Sequence, residues 1–308
     1  MFSSAPISVS DIAATGCVAA LGCFDGLHTG HRKIFSCAKE QASRLALPLV
    51  VYSPEAKKGQ SLLTPANEKK RLLYHLGADC VILADFEKIK DLSPEQFVTE
   101  ILCRTLNCHT AVCGYNFSFG HQAAGDSALL HRLMTELGRR TLIQSEVNIN
   151  GSPVSSTRIR SLLLQGYIQE ANELLEQPYF VTGTVSHGRA IGRTLGFPTL
   201  NLSFQDGKLI PKNGVYYSRV ITESGIYGAV SNIGMRPTFS DCPAEPVLEA
   251  HLLNFSGDLY QQAVTVELIH FLRPETAFRD SNALAEAVHR DITAAYEMAS
   301  TDPILLRD

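Results

Sequence analysis

The stretch Leu21-Gly22-Cys23-Phe24-Asp25-Gly26-Leu27-His28-Thr29-Gly30-His31 restricts what this chain can fold into more than any other. It follows the apolar run Cys17-Val18-Ala19-Ala20-Leu21 and opens a segment, Arg32 to Ala46, whose apolar residues Ile34, Phe35, Ala38, Ala42 and Leu45 recur at helical spacing. The pattern predicts a strand, a tight glycine-bearing turn and a helix. Such a turn aims unpaired backbone N–H groups and the positive end of a helix dipole at one spot, a ready site for phosphate. His28 and His31, three residues apart, can face the same anion, and each imidazole can donate a hydrogen bond to a phosphoryl oxygen. Three plainer readings compete: a purely structural turn, ordinary polar residues at a helix start, or a metal-binding pair. The metal reading lacks further ligands at familiar spacing nearby. A Walker-type loop is excluded because no Gly-Lys-Ser/Thr follows.

Beyond the first helix, Pro48-Leu49-Val50-Val51-Tyr52, Asp79-Cys80-Val81-Ile82-Leu83 and Thr110-Ala111-Val112-Cys113-Gly114 read as buried strands. Between them, Thr64 as N-cap with Pro65 in the first turn predicts a helix to Leu76, and Ser93-Pro94-Glu95 predicts another to about Leu106. Strand and helix thus alternate through the first 150 residues, which predicts a doubly wound parallel sheet with helices on both faces. Ligands of such sheets bind beyond the carboxyl ends of the strands. The loop Gly114-Tyr115-Asn116-Phe117-Ser118-Phe119-Gly120 leaves one such end: its aromatics suit either a planar ligand or a core plug, and Asn116 can both donate and accept.

In Val154-Ser155-Ser156-Thr157-Arg158-Ile159-Arg160 a hydroxyl cluster suits a helix start, whereas arginines there oppose the helix dipole. A polyphosphate clamp explains the misfit; a plain N-cap with solvated arginines is the alternative. Gly166 then breaks the helical pattern, and a second amphipathic piece with Ile168, Ala171, Leu174 and Leu175 ends at Pro178, as a connector between domains would.

From Tyr179 the texture changes to short strands bounded by Gly, Pro and Asn: 179–185, 214–221, 225–231, 246–254 and 263–272. That spacing predicts an antiparallel barrel. A last helix, about 282–298, presents Leu284, Val288, Ile292, Ala295 and Tyr296 to the barrel. Thr199 and Asn201, two apart on an extended chain, point to one face and suit a magnesium ion carrying nucleotide phosphates. By the same parity Leu248, Ala250 and Leu252 face one side and Glu249 and His251 the other. A glutamate in a barrel mouth can act as general base, and a solvated strand face is the alternative.

A chain of 308 residues accommodates two domains, 1–177 with the helical connector and 178–308. Charged residues make up 19% and the net charge is −4 with no basic block, so no nucleic-acid partner is expected. The N-terminus lacks a positively charged start, and the apolar run at 17–21 is too short for a signal core or a membrane span; a cytoplasmic location with no membrane partner is expected. Eight scattered cysteines without a CxxC pair fit reduced thiols. Nothing fixes the oligomeric state, monomer or weak oligomer.

GCFDGLHTGHRKIF resembles the HxGH signature of the nucleotidyltransferase superfamily. Together with GYNFSFG and VSSTRIR in the first half, and HGRAIGRTLGFPTLNL, NGVYYSRV, SNIGMRPTF, LEAHLLNFSGDLY and LRPETAF in the second, nearly the whole chain resembles the bifunctional prokaryotic riboflavin kinase/FAD synthetase family. The resemblance implies two ATP-dependent reactions: phosphorylation of riboflavin to FMN by the second domain, and adenylylation of FMN to FAD with release of pyrophosphate by the first. It implies Glu249, His28, His31 and Arg158 as catalytic, and Thr199 and Asn201 as ligands of Mg2+. It implies nucleotide or phosphate binding by Gly22, Phe24, Asp25, Gly26, Ser155, Ser156, Thr157, Gly188, Gly192, Gly196 and Pro198, and flavin binding by Asn116, Phe117, Asn232 and Arg273. The sequence departs from the family pattern at Pro54-Glu55-Ala56, where a Pro-His-Pro-like stretch is usual, and at Leu259-Tyr260-Gln261, where Leu-Tyr-Gly is common. A kinase with a weakened first domain, or a non-catalytic flavin-binding regulator, are the competing functions.

Overall fold

The structure is a computed structural model that describes residues 7–55, 59–186, 197–236 and 245–306. Contacts divide the chain into two units, Met1–Ser156 and Thr157–Asp308.

The first unit is built on five parallel strands, β1 (Cys17–Leu21), β2 (Leu49–Pro54), β3 (Cys80–Ala84), β4 (Cys108–Gly114) and β7 (Arg140–Gln144), in the order β3-β2-β1-β4-β7. Two small hairpins, β5 (Ser118–Phe119) with β6 (Gly125–Asp126) and β8 (Asn148–Ile149) with β9 (Ser152–Pro153), lie outside the main sheet. The apolar strand runs are continuous because both faces are covered. Cys17, Ala19, Leu21, Val50, Tyr52, Ala111 and Cys113 pack with Ile12, Leu102, Leu130 and Met134 on one side. Val18, Ala20, Val51, Val81 and Val112 pack with Phe35, Ala38, Ala42 and Leu73 on the other. The chain winds outward from β1 to β3 and then returns to β1's other edge as β4. That reversal between β1 and β4 is the switch point at which such sheets open a crevice.

Three local expectations need correction. The first long helix begins at Thr29, not Arg32, with His28 as its N-cap. The next starts at Ala66 with Pro65 in the cap position and no side-chain cap, because the Thr64 hydroxyl is used elsewhere. The segment capped by Ser93 begins with Pro94–Gln96 and continues as a π-helix over Phe97–Thr105 rather than as one α-helix.

The second unit opens with two helices, Ser156–Gln165 and Ile168–Leu175, turned at Gly166. Gly166 has φ +88°, and a Cβ there would stand 2.9 Å from the Lys212 side chain, so only glycine fits without displacement. Six antiparallel strands follow: β10 (Tyr179–Thr184), β11 (Leu200–Ser203), β12 (Gly214–Thr222), β13 (Gly225–Arg236), β14 (Glu245–Leu252) and β15 (Ala263–Pro274). Their order is β10-β15-β12-β13-β14-β11, and an antiparallel bridge between Ser186 and Asn201 links the two ends, with Ser186 N–H donating to the Asn201 carbonyl at 3.0 Å. The sheet is thereby nearly closed into a barrel.

Tyr216, Val220, Leu248, Ala250 and Val266 are fully buried on the inward parity of these strands. Part of the outward parity is covered by the terminal helix Ser281–Ala299: Tyr217 and Val230 pack with Ile292 and Ala295. Tyr296 is not on that packing face; it is 43% exposed, and its hydroxyl donates to Asn254 Oδ1 at 2.8 Å. Beyond the helix, the buried Asp302 carboxylate accepts from Tyr217 at 2.9 Å and from Arg219 at 3.2 Å, tying the end of the chain to β12. No helix among the described residues is long and apolar enough to cross a membrane.

Candidate active sites

In the first unit the turn between β1 and the Thr29–Leu45 helix is held from behind. Phe24 and Leu27 have φ +49° and +48°, left-handed values that cost non-glycine residues roughly 1–2 kcal/mol each. Tethers offset that strain. The Asp25 carboxylate, 5% exposed, accepts from the N–H of Thr64 (2.9 Å) and of Leu63 (3.2 Å) and from the Thr64 hydroxyl (3.3 Å). Thr64 Oγ1 in turn accepts from Gly26 N–H at 3.0 Å. The Ser53 hydroxyl and the Lys69 ammonium both donate to the Cys23 carbonyl, at 2.9 and 2.6 Å, and the Ser156 hydroxyl donates to the Asp25 carbonyl at 2.9 Å.

Several residues expected to meet phosphate also have structural partners. The Gly22 N–H donates to the Tyr52 carbonyl at 3.3 Å, and a Cβ on Gly22 would crowd the Phe24 ring at 3.3 Å. Phe24 itself is completely buried in the core, leaving only its backbone to a ligand. Ser156 holds the turn rather than acting as a free cap. Ser155 is half-buried just ahead of the helix; Thr157, exposed, and Arg158 follow in its first turn, and by contacts both count with the second unit.

The two histidines are brought together as the spacing demands. Their rings stack at 3.7 Å with an interplanar angle of 20°. His28 Nδ1 accepts from His31 N–H at 3.4 Å, which puts its own proton on Nε2 and leaves that N–H as a donor. Burial pushes the His28 pKa down to about 4, with the Asp25 charge opposing only in part. His31 is also driven well below its ordinary value, first by burial, then by His28 and the Lys69 cation. The pair is therefore neutral near pH 7. His31 Nδ1 is buried without a hydrogen-bond partner among the described residues.

At the carboxyl end of β4, Asn116 is exposed, whereas Phe117 is partly buried, packs on the core and stacks on Phe119 at 5.6 Å. Tyr115 N–H donates to the Gln144 carbonyl at 2.9 Å, and the Tyr115 hydroxyl is bonded to Glu146.

In the second unit, register assembles residues far apart in sequence. Asn201 on β11 pairs with Glu249 on β14, Glu249 with Asn232 on β13, Asn232 with Val215 on β12, and Val215 with Arg273 on β15. One lateral row thus carries four of the predicted residues on one face. Glu249, Asn232 and Arg273 line a cavity of about 560 Å³ together with Thr199, His251, Thr276, Phe278 and Asp291. The expected parity of β14 holds, but the cavity lies on the outward face of the barrel wall, beneath the terminal helix, and not in the barrel's mouth. The reason is that the inward face is already filled by Leu248 and Ala250, both fully buried. Arg273 is committed to Asp291 of the terminal helix by a two-pronged ion pair, 2.9 Å from Nε and 2.7 Å from a terminal nitrogen, so it forms the cavity wall and anchors the helix.

Thr199 also borders a second cavity of about 460 Å³, lined by Pro198, Leu252, Phe255, Asp258 and Tyr260. Asn201, two residues further along the chain, is 4% exposed, and its Oδ1 has no hydrogen-bond partner among the described residues. An orphaned amide oxygen two residues from a threonine hydroxyl gives hard, neutral donors that fit Mg2+, whose remaining positions are normally filled by water and phosphate oxygens. No cluster of three or more His, Cys, Asp or Glu suited to another metal occurs among the described residues. Gly188, Gly192 and Gly196 lie outside those residues. Sequence reasoning missed Ser53, Thr64 and Lys69 behind the turn, and Phe255, Asp258, Tyr260 and Asp291 around the cavities. Only the motif NFSGDLY carried a sequence signal for any of these.

Comparisons with known proteins match both halves of the chain. A family model for FAD synthetase matches residues 11–158, and one for riboflavin kinase matches residues 175–299. Two curated proteins, each described as a bifunctional riboflavin kinase/FMN adenylyltransferase, are similar over most of their length. One from Bacillus subtilis is 32% identical over 89% of this chain and 90% of its own. One from Pseudomonas fluorescens is 33% identical over 92% and 94%. A crystal structure described as a macrolide-efflux protein from Streptococcus pneumoniae superposes with a TM-score of 0.83 at 28% identity, covering 94% of this chain and 96% of that one. Carrying both domains in one chain, the protein belongs to the bifunctional riboflavin kinase/FMN adenylyltransferase family.

Proposed function

We propose that residues 178–308 transfer the γ-phosphoryl of ATP to the ribityl 5′-hydroxyl of riboflavin, and that residues 1–177 join the resulting FMN to the adenylyl group of a second ATP, releasing pyrophosphate. The observation that carries the reading is the row Asn201–Glu249–Asn232, in which strand register sets a magnesium-type donor, a carboxylate and an amide side by side, the last two lining one cavity.

In the kinase step Glu249 accepts the hydroxyl proton while Asn232, Arg273 and the apolar wall formed with the terminal helix hold the flavin. Pro198, together with Gly188, Gly192 and Gly196, holds the nucleotide phosphates. Thr199 Oγ1 and Asn201 Oδ1 would hold Mg2+, which would supply neutralisation of charge on the transferring phosphoryl group. Such a reaction needs little covalent chemistry from the protein. Alignment and charge neutralisation supply the rate.

In the adenylyl step the phosphate of FMN attacks the α-phosphorus and pyrophosphate leaves. Nε2–H of His28 and the imidazole of His31 stabilise charge on the α-phosphate. Arg158, with Ser155 and Thr157, holds the departing pyrophosphate, and Asn116 fixes a substrate edge. Gly22, Phe24, Asp25, Gly26 and Ser156 shape the turn that carries the histidines. The enzyme works in the cytoplasm on ATP, riboflavin and FMN, as a monomer or weak oligomer without nucleic-acid or membrane partners.

Incubation of the purified protein with riboflavin and excess MgATP, followed by chromatographic separation of flavins, tests the whole sequence. FAD is the expected product; accumulation of FMN alone refutes the adenylyl assignment. Glu249→Ala should abolish FMN formation yet leave FAD formation from supplied FMN within about threefold of wild type, and His28→Ala should do the reverse. Loss of both activities in either folded variant refutes separate sites.

A further inference from the structure

Lys69 has no place in the chemistry above, yet it stands directly behind the histidine turn. It lies in the first turn of the Ala66–Leu76 helix and is only 5% exposed. Its Nζ donates to the Cys23 carbonyl at 2.6 Å and to Ser53 Oγ at 3.3 Å. Both acceptors are neutral, and burying an ammonium against neutral acceptors is costly. Burial accordingly pushes its pKa down, against the opposing pull of Asp25, the Cys23 thiol and Glu55. A methionine would fill the same space without that cost.

The carbonyl Lys69 grips belongs to the residue immediately before Phe24, the first of the two left-handed non-glycine residues in the turn. Ser53 grips the same oxygen, so Cys23 is held by two donors from two different elements. The Phe24 ring packs 5.3 Å from that of His31, which stacks on His28. A shift of the Cys23–Phe24 peptide would therefore move both imidazoles.

We propose that Lys69 is a positioning residue for adenylyl transfer: its ammonium clamps the Cys23 carbonyl so that the strained turn seats the stacked histidines. This inference rests on the first unit being the adenylyl-transfer site. The charge has a second consequence. The ionisable groups facing His31 are His28 on its own helix and Lys69 on the next; those facing Lys69 are Asp25, Cys23 and Glu55. A cation here adds to burial in opposing protonation of His31.

Full-length Lys69→Met and Lys69→Arg are the test, assayed for FMN adenylylation and, in the same chain, for riboflavin phosphorylation. Lys69→Met should lower kcat for adenylylation by about 10- to 100-fold with KM for FMN and ATP within about threefold, the pattern of misplaced groups rather than lost binding. Riboflavin phosphorylation should not change. The Cε1–H resonance of His31, followed by NMR, should titrate at a higher pH in Lys69→Met than in wild type, whereas Lys69→Arg, which keeps the charge, should leave it near the wild-type position while restoring only part of kcat. An unchanged kcat in Lys69→Met overturns the proposal, as does a lowered kcat with the His31 titration unmoved. Should Lys69→Met fail to fold, wild-type kcat in Lys69→Arg overturns it equally. A wild-type protein that makes no FAD from FMN would sink the assignment of the site itself, not this role.

Discussion

Asp25→Ala separates a structural from a ligand-binding role for a residue that the motif alone places among phosphate contacts. Its carboxylate receives two backbone N–H groups, from Leu63 and Thr64, in a setting where Asp25 is 5% exposed and Thr64 3%. Truncation leaves both donors buried without an acceptor, at about 1–3 kcal/mol apiece. The Thr64 hydroxyl can rotate, so it adds little. The sum is about 4 kcal/mol off the stability of the first unit, and for a unit of this size that corresponds to a fall of roughly 8–16 °C in its Tm. Asp25→Asn keeps one acceptor and turns an amide donor toward the other N–H, so about half that loss is expected. The chain contains no tryptophan, so scanning calorimetry of the intact protein is the suitable assay, with the second unit's transition as internal reference. Adenylylation should fall through kcat as the turn loosens, while kinase activity persists. A Tm within about 2 °C of wild type, accompanied by a raised KM for ATP, would refute the structural account and return Asp25 to the ligand.

The low pKa of His28 makes the first unit acid-sensitive: the unfolded chain takes up that proton near pH 6.5 and the folded one near pH 4, so the stabilisation is complete above 6.5 and is lost as pH falls toward 4. About 3 kcal/mol should disappear across that window in urea titrations, and His28→Asn should flatten the slope. Gln261 occupies a left-handed position, φ +63°, which glycine adopts without strain; Gln261→Gly should raise stability by about 0.5–1 kcal/mol without altering kinase rates, measurable by urea unfolding. Asp291→Ala removes the partner of Arg273 and one wall of the larger cavity, so the terminal helix should loosen by about 2 kcal/mol and KM for riboflavin should rise several-fold, as calorimetry and steady-state kinetics would report.

Much of the fold was legible because it is written in local periodicity. The buried runs read at 17–21, 48–52 and 110–114 belong to strands covered on both faces, and the alternation at 248–252 correctly separated Glu249 and His251 from the core. The texture change near Tyr179 marked the start of the barrel. What periodicity could not supply was which side of the barrel wall Glu249 faces, since both parities of β14 border protein: one the barrel interior, the other the cavity beneath the terminal helix. Thr64 shows the same limit on a smaller scale. It precedes a proline at a helix start, so it reads as a cap, but its hydroxyl is drawn off to Gly26 and Asp25, nearly forty positions away.

By itself the sequence determined the class of each half, the pairing of His28 with His31 on one helix end, and the motifs that mark two nucleotide-using domains, because these depend on spacings of a few residues along one element. Tertiary structure alone decided that Asp25, Thr64, Ser53 and Lys69 form the rear support of the turn, and that Asn201, Glu249, Asn232 and Arg273 stand in one row. Those groupings rest on strand register and on buried donors finding acceptors across long loops, and the energy that selects them exists only once the separate elements have packed.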